Sequence, residues 1–156
     1  MVSGMYSAKH FVATGLALVA VSAVAACGSD DSSSSNSDES KVTVKLKEWE
    51  VVPSADSAPA GTITFEAVNQ GKETHELVLF KTDLAPADLP LDEEGAVDER
   101  GEGVELIDEV EDVTVGETKS FVAQLEPGKY VMACNLVENG MRHFMNKMYA
   151  EFTVTG

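Results

Sequence analysis

The sequence predicts an all-β fold: an antiparallel Greek-key β-sandwich of about seven or eight strands with a long acidic loop insertion. Beyond residue 40, hydrophobic side chains alternate with polar ones over many short segments, and turn-forming residues separate these segments. No long segment has the spacing of an amphipathic helix. We expect a chain of 156 residues to hold one such domain with attachments.

The alternating segments define the individual strands. We expect strands at residues 42–46, 63–67, 76–81, 120–125, 129–133 and 149–154. Residues 77–80 are apolar throughout, which suits a strand that is covered on both faces. Pro, Gly and Asn clusters predict turns at residues 59–61, 69–71, 115–117 and 126–128.

The N-terminus is predicted to be a secretion signal. Residues 11–26 are an uncharged run of 16 residues, shorter than the roughly 20 that a membrane-spanning helix needs. The run leads into the sequence VAAC, and small residues before a cysteine resemble the lipobox of bacterial lipoproteins. The resemblance implies a signal peptide at 1–26 and a lipid anchor on Cys27 that holds the protein to the cell membrane. The alternative is an ordinary signal peptide with a chance cysteine near its cleavage site.

A polar segment follows the cysteine. Residues 28–40 contain seven serines among 13 residues and no apolar side chain, so they cannot form a core. We therefore divide the chain into the signal peptide 1–26, a lipidated cysteine with a disordered tether 27–40, and a folded domain 41–156.

Residues 82–112 are expected to form a surface loop with a helical turn near residues 86–91. They contain 13 acidic residues and a single basic residue, Arg100. Such a loop either keeps the domain soluble or docks a positively charged redox or transport partner. The sequence leaves both alternatives open.

The whole chain is acidic, with 27 acidic and 11 basic residues and a formal net charge of −16. Because this charge repels phosphates, the sequence argues against nucleic-acid binding. We expect a monomer whose partners are the membrane, through the lipid anchor, and an unidentified redox protein.

Four side chains are candidates for one metal site: His75, Cys134, His143 and Met148. Cys134 has no disulfide partner within the chain if Cys27 carries lipid, and a free thiol outside the cytoplasm is prone to oxidation unless it is buried or ligated. Both histidines lie near predicted strand ends. Each residue alone has an ordinary explanation as a core or surface side chain, but the set is less easily explained by chance.

Two imidazoles, one thiolate and a weakly bound thioether are the ligands of a blue, type 1 copper site. Imidazole and thiolate suit Cu(II), and soft sulfur suits Cu(I). One geometry therefore serves both oxidation states, and little has to move when an electron arrives. The sequence thus predicts one copper ion as the cofactor.

From about residue 41 onward, the sequence resembles the cupredoxin superfamily, which includes plastocyanin and azurin. The segment PGKYVMAC at residues 127–134 matches the approach to the copper cysteine in that family, and the pattern Cys134-x8-His143-x4-Met148 matches the spacing of the type 1 sites of copper nitrite reductases. The resemblance implies that His75, Cys134 and His143 are the strong equatorial ligands and that Met148 is the axial ligand.

The ligand segment departs from the family pattern in two ways. Lys147 stands where many members have a glycine before the axial methionine. The usual proline is missing, although Asn139-Gly140 can make the turn. Met145 and Met141 lie nearby, so spacing alone leaves the axial assignment open.

Side chains around the ligands have expected roles as well. Asn135 is expected to brace the ligand loop, and Glu76 either orients the His75 ring or faces solvent. Phe144 and Tyr149 are expected to supply apolar cover that limits access of water.

The leading hypothesis is a membrane-anchored, extracytoplasmic blue copper protein that transfers single electrons and is not an enzyme. Copper oxidases and nitrite reductases add a second centre built from further histidines, whereas this chain has only His75 and His143 outside the predicted signal. The alternatives are a copper carrier that delivers the ion and a metal-free interaction module.

Overall fold

A computed structural model describes residues 39–156 and confirms the all-β prediction. Within this range the strands are β1 (Glu39–Lys47), β2 (Glu50–Pro53), β3 (Ser57–Pro59), β4 (Gly61–Asn69), β5 (His75–Lys81), β6 (Glu105–Val113), β7 (Thr118–Leu125), β8 (Gly128–Ala133), β9 (Val137–Glu138), β10 (Met141–Arg142) and β11 (Tyr149–Thr155). Short 3₁₀ helices lie at Pro86–Asp88 and Phe144–Asn146. The predicted signal peptide 1–26, the lipidation site Cys27 and the tether up to residue 38 lie outside the described residues.

The strands form a sandwich of two mixed sheets. One sheet has the order β2-β1-β4-β7, and the other has the order β3-β11-β8-β5-β6; β9 and β10 form a separate ribbon. Most neighbours are antiparallel, as predicted, but β1 pairs with β4 and β11 pairs with β3 in parallel. These two parallel pairs were not expected from the sequence, because side chains alternate with a period of two in both kinds of pairing.

The main core lies between the two sheets and contains the alternating side chains of the predicted strands. Phe65 of β4 stacks on Phe121 of β7, with ring centroids 5.2 Å apart, and meets Phe152 of β11 edge-on at 5.6 Å. These contacts join the sheets through aromatic packing, which adds to the stabilisation from apolar burial.

Strand β5 is covered on both faces, as its apolar run predicted. Leu77 and Leu79 belong to the main core. Val78 and Phe80 belong to a second cluster, whose other buried members are Leu89, Val97, Val131, Ala133 and Phe144. This second cluster covers the outer face of the sheet at β5 and β8.

The region predicted as one acidic loop is partly a strand. Residues 105–113 form β6, which pairs with β5 at the edge of the sheet. Its acidic residues obscured the pattern, although Ile107 and Val110 pack against the main core. The 3₁₀ helix Pro86–Asp88 confirms the predicted helical turn. Hereafter the acidic loop denotes residues 82–104. No helix among the described residues is long and apolar enough to cross a membrane.

Candidate metal centre

Three of the predicted ligands meet at one end of the sandwich. Nδ1 of His75 lies 3.2 Å from Nδ1 of His143, and Sγ of Cys134 lies 3.3 Å from Nδ1 of His143 and 3.9 Å from Nδ1 of His75. All three side chains are buried. Two imidazole nitrogens and one sulfur, with all ligand atoms within 4.8 Å of one another, form a donor set that suits copper or zinc.

Strand pairing places the first two donors together. His75 is the first residue of β5, and Cys134 directly follows β8. The two strands are antiparallel neighbours, with Val78 opposite Ala133. The start of β5 therefore lies beside the end of β8, which brings the imidazole and the thiol to the same edge of the sheet.

A tight hairpin brings the second histidine back to the cysteine. Asn139 and Gly140 have φ values of 52° and 80° and join β9 to β10. Two residues with positive φ form the type I′ turn that Asn-Gly favours, so the predicted turn is confirmed. Beyond the hairpin, the N–H of His143 donates to the carbonyl of Leu136 at 3.1 Å. The eight residues between Cys134 and His143 thus fold back on themselves.

Met148 is bonded through its backbone to two of these donors. Its N–H donates to the carbonyl of His143 at 3.2 Å, and its carbonyl accepts the N–H of Cys134 at 2.9 Å. Its side chain is fully buried in the same core cluster as Cys134. Met145, in contrast, is 54% exposed, and its Sδ lies 3.9 Å from Nη1 of Arg142.

Lys147 has the backbone conformation that glycine favours, although it stands where many family members have a glycine. It adopts the left-handed conformation, with φ of 69° and ψ of 25°, and its N–H donates to the carbonyl of Phe144. A non-glycine residue pays roughly 1–2 kcal/mol for this conformation. The chain therefore keeps the backbone shape that glycine favours, at some cost in stability.

Burial governs the protonation of the donors. It raises the pKa of the Cys134 thiol to about 12, although the N–H groups of Glu76 and Leu136 donate to the sulfur and oppose the shift. The N–H of Glu76 lies 3.4 Å from Sγ. Burial also lowers the pKa of His75 and of His143. At neutral pH, burial thus favours neutral imidazoles and a protonated thiol in the metal-free site, and a bound cation must displace the thiol proton.

The carboxylate that contacts His75 is Glu48, a residue that the sequence analysis missed. Its Oε1 lies 3.2 Å from Nε2 of His75 and accepts the backbone N–H groups of Lys72 at 2.6 Å and Glu73 at 2.9 Å. Although burial opposes ionisation, these N–H groups lower the pKa of Glu48 to about 2. Glu48 is 27 residues from His75 in the chain, so no local spacing signals the contact.

Glu76 and Asn135 have different partners from those expected. The carboxylate of Glu76 accepts the backbone N–H of Asn135, and burial, together with Glu109, raises its pKa to about 7. The side chain of Asn135 binds the acidic loop: its Oδ1 accepts the N–H of Val97 at 2.5 Å, and its Nδ2 donates to the carbonyl of Val97 at 3.1 Å. Asn135 directly follows Cys134, so its side chain joins the acidic loop to the ligand segment.

Asn69 supports the turn before His75, a second role that was not predicted from the sequence. Its Nδ2 donates to the carbonyls of Glu73 and Val113, both at 2.7 Å, and its Oδ1 accepts the N–H of Gly71 at 2.8 Å. Asn69 is only 2% exposed. Three bonds from one buried amide fix the course of the chain into β5.

Aromatic rings surround the ligand segment. The rings of Phe144 and Tyr149, expected to provide apolar cover, contact each other with centroids 5.2 Å apart. Trp49 meets the His143 ring edge-on at 5.1 Å with an interplanar angle of 83°. His143 is therefore packed as well as hydrogen-bonded, and it is only 1% exposed.

The fold and the site together define a class of protein. A β-sandwich with a buried cluster of His75, Cys134 and His143, and with Met148 nearby, has the arrangement of type 1 copper proteins. The chain belongs to the cupredoxin family, because the family model for the cupredoxin-like domain matches residues 15–145.

Solved structures share this fold. Auracyanin from the photosynthetic bacterium Roseiflexus castenholzii is 20% identical, with a TM-score of 0.56 over 75% of this chain and 98% of that chain. Auracyanin B is 17% identical, with a TM-score of 0.52 over 76% and 90%. Rusticyanin from Thiobacillus ferrooxidans is 15% identical, with a TM-score of 0.53 over 75% and 77%. At these identities the similarity establishes the fold alone. No curated protein matches the sequence.

Proposed function

We propose that this chain is an extracytoplasmic blue copper protein that transfers single electrons. His75, Cys134 and His143 would be the strong ligands of one copper ion, and Met148 would be the axial ligand. The observation that carries the proposal is the convergence of two Nδ1 atoms and one thiol sulfur, all buried, within 4.8 Å of one another. Rusticyanin, a copper protein, has the same fold.

The protein's own contribution is to hold these donors in a buried and fixed arrangement. Bound copper would supply the one-electron Cu(II)/Cu(I) couple. The N–H of Glu76 donates to the sulfur of Cys134, and a donor of this kind stabilises a thiolate. Backbone bonds from Met148 to His143 and Cys134 limit movement of the ligands. Such a site needs little rearrangement between oxidation states.

The burial of the donors supports a carrier of electrons rather than an enzyme. His75, Cys134 and His143 are each at most 1% exposed. A catalytic metal site keeps an open position for water or substrate, whereas here the buried side chain of Met148 is proposed to take the fourth position. The same enclosure favours a resident ion over one that is passed to another protein.

A copper titration of the purified protein tests the proposal. Addition of Cu(II) is expected to produce an intense visible thiolate-to-copper band and reversible one-electron cycling. Cys134→Ser should abolish the band because the charge transfer needs sulfur, whereas Met145→Leu, at an exposed position, should keep it. Tight Cu(I) binding without a stable Cu(II) colour would indicate a copper carrier instead. Binding of neither ion would refute a copper function and leave the interaction module.

We also propose that Cys27 carries a lipid that anchors the protein to the cell membrane. The support is the sequence VAAC that follows an uncharged run of 16 residues. Mass spectrometry of the mature protein should show a lipid-modified N-terminal cysteine. Cys27→Ala should move the protein from the membrane fraction to the soluble fraction, while Ser29→Ala should not. An unmodified mature N-terminus would show an ordinary signal peptide.

A further inference from the structure

A carboxylate lies on the side of the His75 ring that faces away from the cluster of donors. Nδ1 of His75 points toward His143 and Cys134, and Nε2 lies 3.2 Å from Oε1 of Glu48. Glu48 is about one-quarter exposed, with a side-chain exposure of 23%, whereas the His75 side chain is fully buried. The contact therefore sits at the boundary between the core and the surface.

The contact determines the tautomer of His75. An ionised carboxylate only accepts hydrogen bonds, and the neutral imidazole carries one N–H. Nε2 must then hold the proton that is donated to Glu48, which leaves the lone pair of Nδ1 directed at the candidate metal position. Histidines that bind metals commonly donate their second nitrogen to a carboxylate in this way.

The turn after β4 is built to hold the Glu48 carboxylate in place. The N–H groups of Lys72 and Glu73 both donate to Oε1, the same atom that faces His75. Gly71 provides the space, because a Cβ at this position would collide with Oε1 of Glu48 and lie 2.9 Å from Nε2 of His75. A side chain at residue 71 would thus push the carboxylate and the imidazole apart.

We propose that Glu48 is a positioning residue for the metal site: it fixes the His75 ring with Nδ1 toward the metal, and its negative charge favours Cu(II) over Cu(I). The inference rests on the proposed copper function. The hydrogen bond supplies orientation, and the charge stabilises the more highly charged oxidation state. These two effects can be separated, because glutamine keeps the acceptor oxygen and removes the charge, whereas alanine removes both.

The first test needs no metal. Nitrogen-15 NMR of the metal-free protein reports which ring nitrogen of His75 carries the proton. We expect the Nε2–H form in the wild type and in Glu48→Gln, and a mixture of tautomers in Glu48→Ala. An Nδ1–H form in the wild type, or an unchanged tautomer in Glu48→Ala, would overturn the positioning role.

The second test measures copper. Glu48→Gln should weaken Cu(II) binding relative to Cu(I) by roughly tenfold, the lower end of the effect of such partners. For a one-electron couple this ratio is a rise of about 59 mV in the reduction potential, with the visible band retained. Glu48→Ala should also lower the affinity for Cu(II) by roughly 10- to 100-fold.

Controls separate this role from a purely structural one. Glu50→Gln removes one charge from an exposed residue of the neighbouring strand β2 and should leave both the tautomer and the potential unchanged. Gly71→Ala should disturb the tautomer while Glu48 is intact. If Glu48→Gln changes the stability to urea but leaves the potential at the wild-type value, Glu48 merely caps the turn and the charge effect is refuted.

Different results would refute the proposed function and the proposed role of Glu48. A wild type without a blue band refutes the proposed electron-transfer function, and the predicted shift of potential fails with it. A blue wild type with no response to Glu48→Gln leaves the copper function intact and refutes only the role of the charge. The tautomer measurement decides the positioning role in either case.

Discussion

Removal of the Asn69 side chain should destabilise the protein by about 3 kcal/mol. Asn69→Ala deletes three hydrogen bonds, to Glu73, Val113 and Gly71. The carbonyl of Val113 is left without its partner at a buried position, which costs about 1–3 kcal/mol. The other two groups are partly buried and can bind water, so each contributes about 0.5–1 kcal/mol.

Urea denaturation of the metal-free protein measures this loss. With a slope of about 2 kcal/mol per molar urea, the midpoint should fall by about 1.5 M. Asn146→Ala is the matched control, because this exposed amide makes one bond, at 3.1 Å to the carbonyl of Arg142, and should change the free energy of unfolding by less than about 0.5 kcal/mol. A loss at Asn69 no larger than that of the control would show that water replaces the amide and that the turn is not held by it.

Three further predictions concern the ligand segment and the loop beside it. Met148→Leu should keep the blue colour and raise the reduction potential, because the axial sulfur tunes the potential; if Met145→Leu has this effect instead, the axial assignment is wrong. Lys147→Gly should raise the free energy of unfolding in urea by about 0.5–1 kcal/mol, because glycine adopts the left-handed conformation without a Cβ penalty, and a decrease would show that the lysine side chain stabilises the segment. Asn135→Ala removes both bonds to Val97 and should speed proteolytic cleavage of the acidic loop; an unchanged rate would mean that apolar packing alone holds it.

The donors of the site were predictable because local patterns mark their positions. Short runs of residues that favour strands locate β5, β8 and β11, and the donors lie at or between the ends of these strands. The Asn139-Gly140 turn is likewise encoded locally, since this dipeptide favours positive φ at both residues. The residue types then indicate the metal, because few metals bind both imidazole and thiolate well.

Strands β2, β3, β6, β9 and β10 were missed for physical reasons, and β9 and β10 have only two residues each. Strands β2 and β3 have four and three residues, too few to show alternation, and each ends in a proline, Pro53 or Pro59, that reads as a turn signal. Strand β6 lies at a sheet edge, where charged side chains face water and protect the edge from pairing with another chain. Its sequence therefore looks like a solvated loop although its backbone is paired with β5.

The failure to predict Glu48 has the same cause as the failure to predict the parallel strands. Strand β1 pairs with β4 in parallel, with Leu46 opposite Asn69, and the N–H of Gln70 donates to the carbonyl of Leu46 at 2.9 Å. Parallel neighbours end at the same edge of a sheet, so the residue after β1 lies beside the turn after β4, and that turn leads into His75. Antiparallel pairing of the same two strands would place Glu48 at the opposite edge, a full strand length from the imidazole. The contact between Glu48 and His75 is thus a consequence of strand direction, which alternation of side chains does not encode.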